Sequence, residues 1–335
     1  MARDDPEDEE APENVWLGLA RDLLVAGVIV AVFLASMYAY AGTWPPLVVV
    51  ESSSMQHSGQ ESFLGVIDTG DMVFQQAAPT RSSIITYIGG RASGYSTYGD
   101  YGDVIIFNRP GDPTPVIHRA IMYVTIRTNG TADVPDLALL TSDWSATDDA
   151  GLPTTSPYFV QTVTIHNMGF NHRFNITFDF RTTGSLVRFA PRSGYVTMGD
   201  QNAYLACAIS LNCGAPPNRI PYDYGWMPRQ SDVIGRARGE IPWFGLLKLT
   251  LSPTDSCCYS WGDPEAPKNS WDSLIVGLIF LFALPFLLEF AGRGWTKYVA
   301  PRLPKVRWPW RRKGPGADGP REWEKRPPRE GSSGP

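Results

Sequence analysis

Two long uncharged stretches, one near each end of the 335-residue chain, limit its fold more than any other feature. No charged residue occurs between positions 23 and 50, and the second uncharged stretch covers positions 273–288. A bilayer core about 30 Å thick requires roughly 20 apolar residues of helix, and each stretch reaches that length with its flanks. We therefore predict two transmembrane helices, at residues 15–44 and 272–292.

Each stretch also has an alternative interpretation. A cleaved signal peptide is disfavoured for the first, because its apolar run is long and acidic residues precede it. A buried core helix is disfavoured for the second, because 12 Lys and Arg against 4 Asp and Glu follow from Arg293 onward. Basic flanks face the cytoplasm, so we expect both termini inside and the intervening region outside, although the acidic N-terminal tail adds no support.

The region between the two stretches is rich in Val, Ile, Thr, Tyr and Phe, in short runs separated by Gly, Pro, Asn and Asp. This pattern is typical of β-strands, so we predict an all-β domain. A net charge of −5 disfavours a general nucleic-acid binder, and four cysteines are too few for a disulfide scaffold. In an outside domain a bridge between Cys207 and Cys213 is expected. The sequence has no zinc-type cysteine pairs and no nucleotide-binding glycine motif.

Three short polar segments contain residue types that could together carry chemistry: Ser54 after a strand-like run, His118 inside an apolar strand pattern, and Asp200 in a Gly-Asp turn. Taken singly, each has an ordinary structural interpretation as a helix cap, a buried polar residue or a turn residue. Taken together they match nucleophilic catalysis by serine. Serine needs a base to take its proton, histidine titrates near neutral pH, and a carboxylate can orient the histidine ring.

In this order the segments resemble the motifs of type I signal peptidases, which are serine peptidases. The resemblance is closest to the archaeal and endoplasmic-reticulum branch, in which a histidine replaces the catalytic lysine of most bacterial enzymes. The matching motifs are Ser54-Met55 beyond an anchor, Gly102-Asp103-Val104, Ile117-His118-Arg119 and Gly199-Asp200-Gln201-Asn202. The resemblance covers residues 47–75, 100–123, 195–202 and 231–248.

The resemblance implies a role for each matching residue. Ser54 would be the nucleophile, His118 the general base, and Asp200 the carboxylate that orients His118. The oxyanion hole would use the N–H of Ser54 and the hydroxyl of Ser52.

The chain departs from the family pattern in several places. Ser53 stands where glycine is usual, and Gln56-His57-Ser58 replaces a commoner Glu-Pro-Thr. The branch often has a second aspartate where this chain has Ala206; Asp223 or Asp232 could serve instead, and we favour Asp223. His118 and Asp200 are 82 residues apart, far more than is usual, so we expect residues 124–194 to form an inserted β subdomain.

The predicted protein is therefore mainly β, with a signal-peptidase-like β catalytic core and an inserted subdomain, flanked by two transmembrane helices. It would be a multi-pass cell-membrane protein that cuts signal peptides from secretory preproteins on the extracytoplasmic face, with no metal or cofactor. Its partners would be those preproteins, the lipid bilayer and, as a candidate, the secretion translocon, but not nucleic acid. Two alternatives are a non-catalytic membrane-tethered β-domain and a peptidase of the same core with other substrates. The predicted division is a disordered acidic tail at 1–14, the transmembrane anchor at 15–44, the extracytoplasmic catalytic core at 45–123 and 195–271, the inserted β subdomain at 124–194, the second transmembrane helix at 272–292 and a basic disordered cytoplasmic tail at 293–335.

Overall fold

The two uncharged stretches form long helices, α1 (Val15–Ala41) and α5 (Lys268–Gly294), in the computed structural model. Each contains a 26-residue segment that is long and apolar enough to cross a membrane, and the most apolar parts of the two segments have mean hydropathy of 2.3 and 2.5. The prediction of two long apolar helices, one near each end of the chain, is confirmed. The structure describes residues 15–181, 191–214, 219–223, 225–254, 256–295 and 297, so the 1–14 tail and nearly all of the 293–335 tail lie outside the described residues.

The described chain divides into two units, one ending at Leu278 and the other starting at Ile279. The first unit contains both β-sheets described below, α1 and the start of α5. The second contains the rest of α5. All site residues discussed below belong to the first unit.

The first unit contains an antiparallel sheet, and most of its residues come from the ranges 45–123 and 195–271 that were predicted to form the core. The spatial order is β1-β2-β14-β5-β6-β12, and β7 pairs with the far end of β6. Strand β5 is buried along its whole length, as its sequence Val-Ile-Ile-Phe requires. The strands are β1 (Leu47–Val49), β2 (Met72–Gln76), β5 (Val104–Phe107), β6 (Val116–Ile126), β7 (Ala132–Asp133), β12 (Ser193–Met198) and β14 (Val233–Ile241).

A second, five-stranded sheet comes mostly from the predicted insertion, in the order β13-β11-β10-β8-β9. Strand β13 comes from beyond residues 124–194 and pairs in parallel with β11. The two ends of the predicted insertion, residues 124 and 194, lie in β6 and β12 and so belong to the first sheet. The strands are β8 (Trp144–Thr147), β9 (Pro153–Thr154), β10 (Thr162–Met168), β11 (Phe174–Asp179) and β13 (Asn212–Cys213), and a small hairpin pairs β3 (Ser96–Thr97) with β4 (Asp100–Tyr101).

Short helices also occur between the long ones, in a region where the sequence indicated only strands. They are seven or eight residues long, too short to produce a helical period in the sequence. The first begins at a capping Thr86, whose hydroxyl accepts from the Gly89 N–H, and ends at Gly94 with a φ of 76°. They are α2 (Tyr87–Ser93), α3 (Asp200–Cys207) and α4 (Gly245–Leu251), with 3₁₀ turns at Ser53–Met55, Arg81–Ser83, Pro135–Leu139 and Gln230–Asp232.

One hydrophobic cluster joins the two sheets. It includes Ile121 and Val196 from the first sheet and Val163 and Phe178 from the second, all fully buried. The predicted disulfide between Cys207, at the end of α3, and Cys213, in β13, is confirmed. The inserted sheet therefore packs against the first sheet, and the disulfide ties it covalently to α3.

A buried acidic turn fixes the chain just before the Ser54 segment. The Gly70 N–H donates to the Val50 carbonyl and the Val50 N–H donates to the Asp71 carbonyl, each at 2.9 Å. Burial raises the pKa of Asp68 to about 6 and that of Asp71 to about 8. Because the folded pKa values exceed the unfolded value, these groups favour folding most below about pH 4. Their contribution is lost as the pH rises through 6 and 8.

Substitution Asp68→Asn is expected to reduce the loss of stability between pH 4 and pH 8, because the variant cannot ionise at this position. The free energy of unfolding of the variant, relative to the original protein, should rise by about 1–3 kcal/mol between pH 4 and pH 8. Denaturant unfolding of the detergent-solubilised chain at several pH values measures this. Asp149→Asn, at an exposed position, is the control. Equal pH dependence of Asp68→Asn and the original protein would contradict the prediction.

Candidate functional site

The segment that carries Ser54, here called the serine loop (residues 51–58), follows β1 and contains the 3₁₀ turn Ser53–Met55. Met55 points into the core and is 1% exposed. From the other side Glu265 holds the loop, because its Oε1 accepts from the Ser53 N–H at 3.1 Å and from the Ser53 hydroxyl at 2.6 Å. The Gln56 side-chain amide donates to the Glu265 carbonyl at 2.9 Å. These contacts leave Ser54 between two fixed neighbours.

The groups around Ser54 suit the stabilisation of an oxyanion. The first N–H groups of a helical turn have no partner within the turn. Of these, the Ser53 N–H is taken by Glu265, whereas the Ser54 N–H has no hydrogen bond within the described part of the chain. The Ser52 hydroxyl lies 3.4 Å from the Ser54 hydroxyl. The structure therefore brings together Ser52 and Ser54, the two residues predicted to contribute to an oxyanion hole.

His118 lies in β6, opposite Ile105 of β5, and is 7% exposed. Its Nδ1 lies 2.6 Å from Asp223 Oδ2, which also accepts a 2.6 Å hydrogen bond from the Thr197 hydroxyl. The Asp223 N–H donates to the Thr197 carbonyl at 2.9 Å. Burial alone would raise the pKa of Asp223, but His118 and the hydrogen bonds hold it below its usual range. Asp223 therefore presents a carboxylate that fixes the ring of His118.

Ser54 and His118 line the same cleft, which has a volume of about 600 Å³. Gly199 brings them close: a methyl group on its Cα would lie 2.6 Å from the Ser54 carbonyl oxygen and 2.9 Å from His118 Nε2. The described structure has no hydrogen bond between the two side chains themselves. Such bonds are often long in the absence of substrate and shorten when it binds.

The prediction that Asp200 orients His118 is wrong in this structure. The Asp200 carboxylate binds the Arg119 guanidinium instead, at 2.9 Å and 2.6 Å, and lies 3.1 Å from His57 Nε2. Successive residues of a strand point to opposite faces, so His118 and Arg119 cannot share one carboxylate easily. Of the two alternatives for a further acid, Asp223 contacts His118, whereas Asp232 accepts from the Arg229 N–H in a 3₁₀ turn.

Arg119 and Asp200 form a buried ion pair, with side chains 0% and 2% exposed. Burial alone would raise the pKa of Asp200, but Arg119, together with His57, lowers it to about 2. The remaining N–H groups of the guanidinium donate to main-chain carbonyls of the β3–β4 hairpin. These carbonyls belong to Thr97, Tyr98, Asp100, Tyr101 and Gly102.

Three supporting residues were not predicted from the sequence, namely Thr197, Glu265 and His57. Thr197 had a signal, because it lies near the end of the strand that leads directly into the Gly199-Asp200 motif. Glu265 had none, since it lies 212 residues from Ser53 along the chain. His57 was noted only as a departure from a family pattern.

No protein-family profile, no curated protein and no solved structure matches this chain. A serine with a free main-chain N–H beside a histidine held by a half-buried carboxylate can perform nucleophilic acyl transfer. The proton would pass from the serine hydroxyl to Nε2, the ring nitrogen that Asp223 leaves free.

Removing one member of the Arg119–Asp200 pair is expected to destabilise the fold strongly. Arg119→Met leaves the buried Asp200 carboxylate with only His57 beside it, and Asp200→Asn leaves the buried guanidinium without its carboxylate, so each should cost about 3–5 kcal/mol. The double variant should lose clearly less than the sum, because it removes both charges. Denaturant unfolding of the four proteins in detergent gives the coupling energy. Additive losses would show that the ion pair does not act as a unit.

Proposed function

We propose that this chain is a membrane-anchored serine endopeptidase that removes signal peptides from secretory preproteins. The observation that carries the proposal is the position of His118, whose Nδ1 is held by Asp223 at 2.6 Å while its Nε2 lies against Gly199 beside the Ser54 main chain. A histidine in this state can accept a proton only at the side of the ring that faces the serine loop. The resemblance of the sequence motifs to type I signal peptidases supports the same assignment.

The catalytic cycle follows from these positions. His118 removes the Ser54 proton as Oγ attacks the carbonyl carbon of the scissile bond. The Ser54 N–H and the Ser52 hydroxyl stabilise the oxyanion, for which each donor can contribute about 3–4 kcal/mol. His118 then gives its proton to the leaving amine, and the mature protein departs. Water deprotonated by His118 cleaves the acyl-enzyme, which releases the signal peptide and restores the Ser54 hydroxyl.

The cleft suits a short segment of substrate next to the cleaved bond. Apolar side chains of β1 and β6 form part of its wall, among them Val49, Val116 and Ile117, and three charged residues also line it, Glu51, Arg109 and Asp112. Shallow apolar walls accept the small residues that precede the cleavage point of a signal peptide. No metal or organic cofactor takes part in the proposed reaction.

The two long apolar helices support a location at the membrane. With both spanning the bilayer, the core would lie on the extracytoplasmic face of the cell membrane, as the basic C-terminal tail suggests. The apolar segment of a signal peptide would occupy the same bilayer, which raises its local concentration at the cleft. The secretion translocon is a candidate partner for delivering such substrates.

Alanine or asparagine substitutions at the proposed triad should abolish processing of a preprotein by membranes that contain the full chain. We expect Ser54→Ala and His118→Ala to lower kcat about 10⁴-fold or more, and Asp223→Asn about 10²–10⁴-fold. Matched controls are Ser82→Ala, at an exposed position outside the serine loop, His166→Ala and Asp232→Asn, which should process normally. Full processing by Ser54→Ala or His118→Ala would leave the alternative of a non-catalytic membrane-tethered β-domain.

Substitution Gly199→Ala tests the close approach of Ser54 and His118 without removing either side chain. The added methyl group must push the Ser54 carbonyl or the His118 ring away, and a displacement near 1 Å can cost about 100-fold in rate. We expect kcat to fall about 100-fold while the protein remains folded. Gly89→Ala, whose methyl group would meet its neighbours at 3.5 Å or more, is the control. Unchanged activity in Gly199→Ala would refute the proposed arrangement.

A further inference from the structure

The turn between β10 and β11, here called the insertion turn (residues 169–173), stacks two of its rings on residues outside the inserted sheet. Phe170 stacks on His57 of the serine loop, with ring centres 4.0 Å apart and an interplanar angle of 13°. His172 stacks on Tyr101 of β4, with ring centres 5.2 Å apart and an angle of 10°. The same turn therefore makes one contact with the serine loop and another away from it.

Phe170 also contacts the helix that carries Asp200. Its ring lies 5.6 Å from that of Tyr204 in α3, tilted by 31°. Asp200 begins this helix, and its carboxylate lies 3.1 Å from His57 Nε2. Phe170 and Asp200 thus hold His57 through its ring face and its edge.

The His57 ring has little room to move. A methyl group on Gly99 would lie 2.7 Å from its Cε1, so the hairpin between β3 and β4 borders the ring on another side. His57 comes three residues after Ser54, and Gln56 between them is held by Thr69 and by the Glu265 carbonyl. The held Gln56 and the enclosed His57 ring therefore both fix the C-terminal side of the serine loop.

The insertion turn is itself fixed relative to α3. The disulfide joins Cys207, at the end of α3, to Cys213 in β13. Strand β13 pairs with the start of β11, directly after the turn, through Asn175 and Ile176. Phe170 and the disulfide therefore tie the inserted sheet to α3 at two separate places.

From these contacts we infer that the inserted sheet is a positioning element for the nucleophile, with Phe170 as its positioning residue. Phe170 presses on His57 and keeps the Ser54 main chain seated against Gly199, at the distance from His118 that the reaction requires. The inference rests on the proposed function and assigns the insertion a task in that reaction. Phe170 itself does not touch the substrate.

Loss of the Phe170 ring should lower the rate of the chemical step more than substrate binding. In steady-state processing of a preprotein by the detergent-solubilised full chain, we expect Phe170→Ala to lower kcat about 10–100-fold with KM within twofold. Phe170→Tyr keeps the flat ring and should retain kcat within twofold. His172→Ala loosens the other contact of the same turn and should also leave kcat within twofold.

Hydrogen exchange gives a readout that does not depend on activity. Phe170→Ala should speed amide exchange in residues 51–58 and leave residues 96–102 unchanged, and His172→Ala should do the reverse. If Phe170→Ala fails to fold, Phe170→Leu keeps most of the volume without the flat ring, and it should lower kcat while Phe170→Tyr does not.

The outcomes separate this inference from the proposed function. Ser54→Ala is assayed in parallel, and its full activity would overturn both. An inactive Ser54→Ala with Phe170→Ala or Phe170→Leu at the original kcat would overturn the positioning role alone. Equal losses in Phe170→Ala and His172→Ala would also overturn it, because the turn would then only dock the insertion.

Discussion

The buried ion pair between Arg119 and Asp200 is the interaction on which the rest of the site depends. Buried ion pairs are a weak source of net stability, but they fix which elements can lie together. Here the guanidinium of a central strand joins the β3–β4 hairpin to the start of α3. Once α3 begins at that point, Gly199 must lie where the Ser54 carbonyl and His118 meet. His118, the neighbouring residue on the same strand, faces the other way and contacts Asp223 instead.

The long helices and the strand-rich middle could be predicted because each follows from local physics. An uncharged run of this length has few solutions besides a membrane helix, and β-branched runs between turn residues favour strands. Ser54 and His118 could be found from their short motifs. The partner of His118 could not, because either Asp200 or Asp223 satisfies the chemistry and only the three-dimensional packing distinguishes them. The contact between Glu265 and Ser53 could not be predicted either, because nothing near Glu265 in the sequence indicates it.

The inserted sheet is better described as part of the core than as an added domain. Its side chains share one hydrophobic cluster with β6 and β12, and β13 is recruited from outside the inserted segment. A segment integrated in this way transmits its position to the residues it contacts, because packed interiors are stiff. Three regions of sequence that are far apart, the serine loop, α3 and the insertion turn, therefore meet around His57.

The bond between Ser53 and Glu265 has a consequence for the order in which the protein is made. Ser54 leaves the ribosome early, His118 follows, and Asp223 and Glu265 come more than 160 residues after the serine. The serine loop therefore has no acidic clamp, and His118 no carboxylate, until nearly all of the chain has been synthesised. During that interval the set of groups around Ser54 and His118 is incomplete. Under the proposed function, this late completion would keep the growing chain from cutting itself.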